Sequence, residues 1–356
     1  MMRSYKYIVR VLLILIVIGC ITVTLGMYSR LFEDKEVEKI ASQLLNDINI
    51  AYLNNDEELL KQAYDQDVLH GKWAYEYAIK KQDYLNKWAK KQEIEYTDIK
   101  SYHKFPKITG SDSTYNLTVK SIDEYIYQYK GEDKENSYKI AVYHYMRIEM
   151  KEDRWIITKD WSSDPMADSI SLKDEKKEEI MKYISNYNPE KYKLEGRRKK
   201  AIKYADKYCS AYENSSYNKD YRNYNPVGGD CANFTSQVLH EGGGFKKNSL
   251  WNYHKGGSLA WIKAQNLTNY FLNSGRGSRI AVGSYENVYQ SAYKLQPGDI
   301  VAYEEKGKIG HVSIVSGYDS KGYPLVNCHN VDRYRVPWDI GWNRSGITFW
   351  LIRVHY

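Results

Sequence analysis

The chain has 356 residues, 42% of them hydrophobic, and a formal net charge of +7. That length has room for two domains plus accessories. Its basic residues are interspersed with acids beyond the short run Arg197–Lys200, so nucleic acid is not an expected partner. Aromatic usage leans to rings with a polar handle, 36 Tyr and 9 Trp against 6 Phe, which suits polar-polymer surfaces as well as cores.

Arg3, Lys6 and Arg10 precede an uncharged apolar run from Val11 to Met27. This is the pattern of a signal peptide or membrane anchor over residues 1–30. Residues 7–28 are long enough to span the cytoplasmic membrane, with the basic flank inside and the bulk of the chain outside. Val17-Ile18-Gly19-Cys20 also resembles a bacterial lipoprotein signal with Cys20 lipidated, and a cleaved signal is the third option. All three expectations put most of the chain outside the cytoplasm.

Residues 31–165 read as one α+β domain. Val37, Ile40, Ala41, Leu44, Leu45 and Ile48 keep helical spacing, and Leu59, Leu60, Ala63, Trp73, Tyr77 and Trp88 continue it. From about Ile94 the period changes to alternation: Tyr115–Lys120, Glu124–Tyr129, Tyr138–Met150 and Arg154–Trp161 predict strands. Helices followed by an antiparallel meander look like the cone-shaped nuclear-transport-factor-two-like fold, on pattern alone. The alternating charges predict a solvated sheet face, or else a ligand pocket inside the cone.

Residues 166–195 read as a polar linker with one helix from Leu172 to Tyr187. The second domain, 196–356, begins with a helix over Ala201–Tyr212. Cys231, Phe234, Thr235, Val238 and Leu239 share one face of the next helix, which Gly242–Gly244 stop. Asp230 stands at its N-cap position. Strands follow at Asp299–Glu304, Gly310–Tyr318, Tyr323–Asn330 and Thr348–His355, with Asp319–Gly322 as a hairpin turn. A cysteine-bearing helix followed by an antiparallel sheet is the layout of papain-like hydrolases. The expected fold class is therefore α+β throughout: an N-terminal membrane helix, a cone-like domain and a papain-like domain.

Of four cysteines, at 20, 209, 231 and 328, none forms a CxxC pair. A Cys209–Cys328 disulfide is possible, and an odd thiol in an exported chain is a nucleophile candidate. A thiol at a helix N-terminus is biased toward the thiolate. His311, opening a later strand, is the natural general base for Cys231. The third, orienting group is His329 or Asn330, because a one-residue slip of the hairpin exchanges their faces. His329 is preferred. Asp230 and Asn233 read as supporting residues, and Asp332 either as support for the third residue or as a local ion pair with Arg333. The Cys231 backbone N–H is one oxyanion donor, and a second is expected near Tyr224 or Asn225. A zinc site from Cys231, His311, Cys328 and His329 lacks the usual ligand spacing, so neither metal nor cofactor is expected.

The segments Asn225-Pro226…Asp230-Cys231-Ala-Asn233-Phe234-Thr-Ser236-Gln237, Trp251, Pro297-Gly298-Asp299, Gly310-His311-Val312 and His329-Asn330-Val-Asp332-Arg333 together resemble the bacterial putative amidase domain, related in pattern to CHAP and NlpC-type amidohydrolases. The resemblance covers roughly residues 195–356. It implies a papain-like fold, cleavage of an amide bond, plausibly in cell-wall peptide, and the roles of nucleophile, base and third residue for Cys231, His311 and His329. The expected function is an extracytoplasmic thiol amidohydrolase acting on peptidoglycan peptide. An inactive wall-binding scaffold and a transacylase using the same residues are the alternatives.

Overall fold

A computed structural model describes residues 33–166, 177–187, 193–212 and 215–356. Helix α1 (33–54) buries Val37, Ala41, Leu45 and Ile48 along one stripe, as their spacing predicts. Asp56 caps α2 (Glu57–Ala63) by accepting from the Leu59 N–H at 2.9 Å. Helix α3 (Leu69–Gln92) ends where Glu93 turns left-handed, at φ 56°. Four antiparallel strands follow: β1 (Ile94–Ser111), β2 (Thr114–Tyr129), β3 (Glu135–Lys151) and β4 (Arg154–Ser162). Strict alternation of buried and half-exposed residues along β2 shows one face turned to the helices.

Helix α4 (Lys177–Asn186) packs Ile180 and Ile184 into the same core, so this stretch of the expected linker is part of the folded body. The rest of the chain contributes α5 (Gly196–Tyr208) and α6 (Cys231–Gln237), the latter extended by a π-turn over Val238–Gly242. Helices α7 (Leu259–Ile262) and α8 (Ala264–Asn273) follow, then β5 (Gly277–Gly283) and α9 (Tyr285–Ala292). The last strands are β6 (Ile300–Glu305), β7 (Lys308–Tyr318), β8 (Pro324–Cys328), β9 (Arg333–Pro337) and β10 (Ile347–Val354). Sequence spacing did not reveal β5, α9 or β9, which are short and interrupted by polar residues.

Both halves share one ten-stranded sheet, ordered β1-β2-β3-β9-β8-β7-β6-β10-β5 with β4 on β3. The junction pairs Lys139 with Tyr334 and Ile140 with Arg333. Pairing β3 with β9 removes two sheet edges that would otherwise present unpaired backbone groups. One hydrophobic core runs through the junction, joining Trp88, Tyr125 and Tyr138 to Tyr285, Tyr323, Trp338 and Phe349. Polar ends are satisfied across it: Trp88 donates to Asp339 at 3.0 Å, and Tyr127 and Tyr129 both donate to Asp319, at 3.0 and 2.6 Å. Many of the tyrosines are therefore core residues whose hydroxyls found partners. A second core, under α5, α6 and α8, holds Phe234, Leu239, Trp251, Trp261, Phe271, Val312 and Ile314.

The interior of the N-terminal half is nearly filled. Its cavity is about 30 Å³, close to what one water needs, and is lined by Lys81, Asp123, His144 and Asp164 among others. Lys81 pairs with Asp164, and His144 with Asp160 at 3.0 Å.

The expected fold class needs correction at the N-terminus. Among the described residues no helix is long and apolar enough to cross a membrane. Among the described residues the fold is mixed helix and antiparallel sheet, and the expected N-terminal membrane helix finds no support. The run Val11–Met27 and Cys20 lie outside the described residues.

Candidate active site

Cys231 is the first residue of α6 and 5% exposed. Helix α6 packs against β7, which brings the thiol against the backbone N–H of Val312, the residue after His311. Burial pushes the Cys231 thiol up to about 12, although the amides of Val312 and Ala232 pull the other way. His311 is also 5% exposed. Its burial, reinforced by the positive charge of Arg333, drives the imidazole down to about 3. At neutral pH the site therefore holds a neutral thiol and a neutral imidazole, not an ion pair. No hydrogen bond joins the two, and Nε2 of His311 is buried with no partner. What holds the ring is aromatic contact: Trp342 stacks on it at 5.2 Å and 25°, and Tyr303 lies tilted against it at 5.5 Å.

His329, expected to orient His311, has both ring nitrogens engaged by other groups. Its Nδ1 meets Asp230 Oδ2 at 2.6 Å, and its Nε2 meets the Tyr208 carbonyl at 2.9 Å. Its ring is sandwiched between Tyr217 and Phe234, with centroids 3.8 and 3.9 Å away. A carbonyl only accepts, so Nε2 carries a hydrogen and donates it to Tyr208. Both ring nitrogens are thus used, and none is left for His311.

Asp230 occupies the N-cap position but makes no capping bond with its side chain. Its carboxylate instead accepts from the Tyr224 N–H and the Asn233 amide, both at 2.9 Å, besides meeting His329. Asn233 in turn accepts from Trp261 Nε1 at 2.9 Å, and Ser236 accepts from Trp251 Nε1 at 3.0 Å. The polar side chains of this motif mainly tie α6 to its surroundings. Tyr224 and Asn225, expected near a second oxyanion donor, are likewise occupied: the first donates to Asp230, and the Asn225 amide to the Tyr217 hydroxyl at 2.6 Å.

Strands β7 and β8 pair Ile314 with Asn327 and Val315 with Val326. Continued in that register, Asn330 and not His329 is level with His311, although β8 ends at Cys328. Asn330 turns left-handed there, at φ 68°, and its Oδ1 accepts from the Asp230 N–H at 2.6 Å. A side chain at Gly229, itself at φ 111°, would run into the Asn330 amide 2.1 Å away, so this contact requires glycine.

Asp332 makes no ion pair with Arg333. It accepts from Tyr217 at 2.6 Å and from the Ser210 hydroxyl. Cys209, Cys231 and Cys328 are all free, so no disulfide joins Cys209 to Cys328. Among the described residues no group of three or more His, Cys, Asp or Glu could hold a metal ion.

His311 and Asn330 open onto a cleft of about 990 Å³ whose far wall comes from the N-terminal half. Trp73 of α3, Tyr145 of β3 and Trp161 of β4 line it and are each roughly half exposed. The sequence reading placed Trp73 on a helix, Tyr145 and Trp161 in strands and Arg333 in a loop, and gave none of them, nor Trp342, to a cleft. Only the β3–β9 junction brings them to the site, and no motif announces it.

Residues 195–352 match the family model described as "Putative amidase domain". Uncharacterized protein YhbB of Bacillus subtilis (strain 168) is 30% identical over 152 residues, 39% of this chain and 42% of that protein. The chain thus spans about two fifths of the length of that relative. The crystal structure of the intermembrane space region of the chloroplast protein ARC6 aligns with 36% of this chain and 94% of its own, at 12% identity and a TM-score of 0.25. A likeness at that score carries no argument. Residues 195–352 are thus similar to a putative amidase domain, and hydrolysis of an amide bond is the chemistry the match suggests.

Proposed function

We propose that the chain is a thiol-dependent amidohydrolase with Cys231 as nucleophile and His311 as general base, acting on an amide bond of cell-wall peptide outside the cytoplasm. The observation that carries this reading is the seating of the Cys231 thiol against the backbone beside His311, a histidine whose Nε2 has no other employment. Because the resting pair is neutral, the proton leaves Sγ for His311 as sulfur attacks the carbonyl carbon. The Cys231 backbone N–H faces the developing oxyanion. Protonated His311 then gives its proton to the leaving amine as the C–N bond breaks. A water, deprotonated by the same imidazole, resolves the thioester to a carboxylate and restores the thiol. Asn330 is the third residue of this proposal, since the strand register sets it level with His311. It would have to exchange its bond to the Asp230 N–H for one to the imidazole. The papain-like relationship is part of the same reading, supported by the order of cysteine helix and histidine strand. The basic-then-apolar start of the chain and the peptide substrate class support an extracytoplasmic site of action.

Burial of the thiol also favours a second reading, a domain that binds wall peptide without cleaving it. Release of free amines from a peptidoglycan digest separates the two, and iodoacetamide labelling of Cys231 tests the neutral resting thiol that both share. A thiol held near 12 should label about tenfold faster per pH unit between pH 7 and 10, whereas a resting ion pair would label at a flat rate. Amine release should vanish in Cys231→Ala. Full release by that variant would sink the thiol mechanism.

A further inference from the structure

Resting on the amidase reading, we propose that the cleft beside His311 is a carboxylate-reading subsite, so that the substrate is a peptide with a free carboxylate near the scissile amide. The evidence is a set of buried donors without acceptors. Arg333 is 2% exposed, forms no ion pair among the described residues, and its Nε has no partner. One of its terminal nitrogens donates to the Ile340 carbonyl, which pins the guanidinium, and Trp342 lies 6.0 Å below it. Trp342 Nε1 and Arg344 Nε are also buried and unpartnered, although a terminal nitrogen of Arg344 pairs with Glu305 at 3.1 Å. All three residues line the cleft that His311 opens onto. Guanidinium and indole nitrogens can only donate. Leaving several such donors dry is costly, and a guanidinium fork matches a carboxylate's two oxygens. The cleft does not supply that carboxylate itself, because Asp160, which also lines it, is held by His144 at 3.0 Å.

The opposite wall completes the site. Trp73 and Trp161 belong to the N-terminal half, are 55% and 59% exposed, and border the same cleft. Exposed rings facing a catalytic histidine across a cleft offer apolar faces to the rest of the ligand. The N-terminal half thereby becomes part of the substrate site.

The test uses the full chain carrying Cys231→Ala, so that binding is read without turnover. Its probes are a cell-wall tetrapeptide with free carboxylates and the same peptide with every carboxylate converted to carboxamide, titrated calorimetrically. The free-carboxylate peptide should bind at least about tenfold more tightly, and Arg333→Gln in the same background should abolish the preference. Trp161→Ala should weaken both peptides alike. Equal affinity for the two peptides, binding of neither, or a preference that survives Arg333→Gln would overturn the proposal. Should Arg333→Gln fail to fold, Trp342→Phe and Arg344→Gln replace it. A preference reduced about threefold in either one supports the subsite, and a preference unchanged in both removes it. The wild-type chain is assayed in parallel for amine release from the free-carboxylate peptide. Absence of release there counts against the amidase reading alone.

Discussion

Two histidines separated by one hairpin sit in opposite kinds of surroundings. Around His329 every polar atom has an answer: both ring nitrogens are bonded, both faces are covered by aromatic rings, and Asp230 is held by three groups. Around His311 the reverse holds, with its Nε2 unpartnered and Arg333 Nε and Trp342 Nε1 beside it unpartnered too. Buried polar groups are normally paired, and a pocket of unpaired ones needs a reason. A saturated network specifies a fold, and an unsaturated one that borders a cleft is available to a ligand. The difference sets a saturated histidine, His329, apart from an unsaturated one at the cleft, His311, which the proposed mechanism uses as its base.

The sharpest way to break this contrast is to remove the first histidine. His329→Leu leaves the Asp230 carboxylate buried beside an apolar side chain, with only the Tyr224 N–H and the Asn233 amide for company. Leaving a buried carboxylate short of one hydrogen-bond partner costs about 3 kcal/mol or more, which urea unfolding would register as a much lower midpoint. His311→Asn removes no hydrogen bond and should cost far less at pH 7. A comparable loss in both variants would mean that His311 is structural after all.

Acid sharpens the same contrast with a smaller effect. The folded pKa of His311 is lowered to about 3 from an ordinary 6.5. Below pH 6.5 the unfolded chain therefore binds more protons than the folded one, and stability contributed by the neutral ring is lost as pH falls toward 3. At pH 5 that loss is about 2 kcal/mol. His311→Asn should lack this component, so its unfolding midpoint should fall less than wild type between pH 7 and pH 5. Parallel declines would show that the ring is not held neutral.

Much of this was legible in the chain. Alternation along Tyr115–Lys120, Glu124–Tyr129 and Tyr138–Met150 marked strands; the first two are one continuous strand, β2, which buries alternate residues, and the third lies within β3. The helix beginning at Cys231 was legible from its apolar spacing, and the strand at His311 from its apolar run. The role of His329 was not legible, since it depends on hairpin register and on Tyr217 and Tyr208, which are remote in sequence. Asp230 looked like a helix cap because the residue type and position fit one. What turns its carboxylate away is His329, 99 residues later. The cleft was the least visible of all. Its two walls meet through β3 and β9, and β9 spans only Arg333–Pro337, too short to announce a partner.

The smallest effect probes the boundary between the two regions. Tyr217 covers one face of His329, donates to Asp332 at 2.6 Å and accepts from Asn225 at 2.6 Å. Tyr217→Phe keeps the stack and deletes the hydroxyl. Asp332 retains the Ser210 hydroxyl, so the cost should be about 0.5–1.5 kcal/mol, the net value of a typical hydrogen bond. If the His329 network is architecture alone, iodoacetamide should label Cys231 at the wild-type rate in this variant, because nothing at the cleft has changed. If labelling changes more than stability does, the network is transmitting to the nucleophile through Asp230, whose next residue is Cys231. The two histidines would then be parts of one device and the division drawn between them would fail.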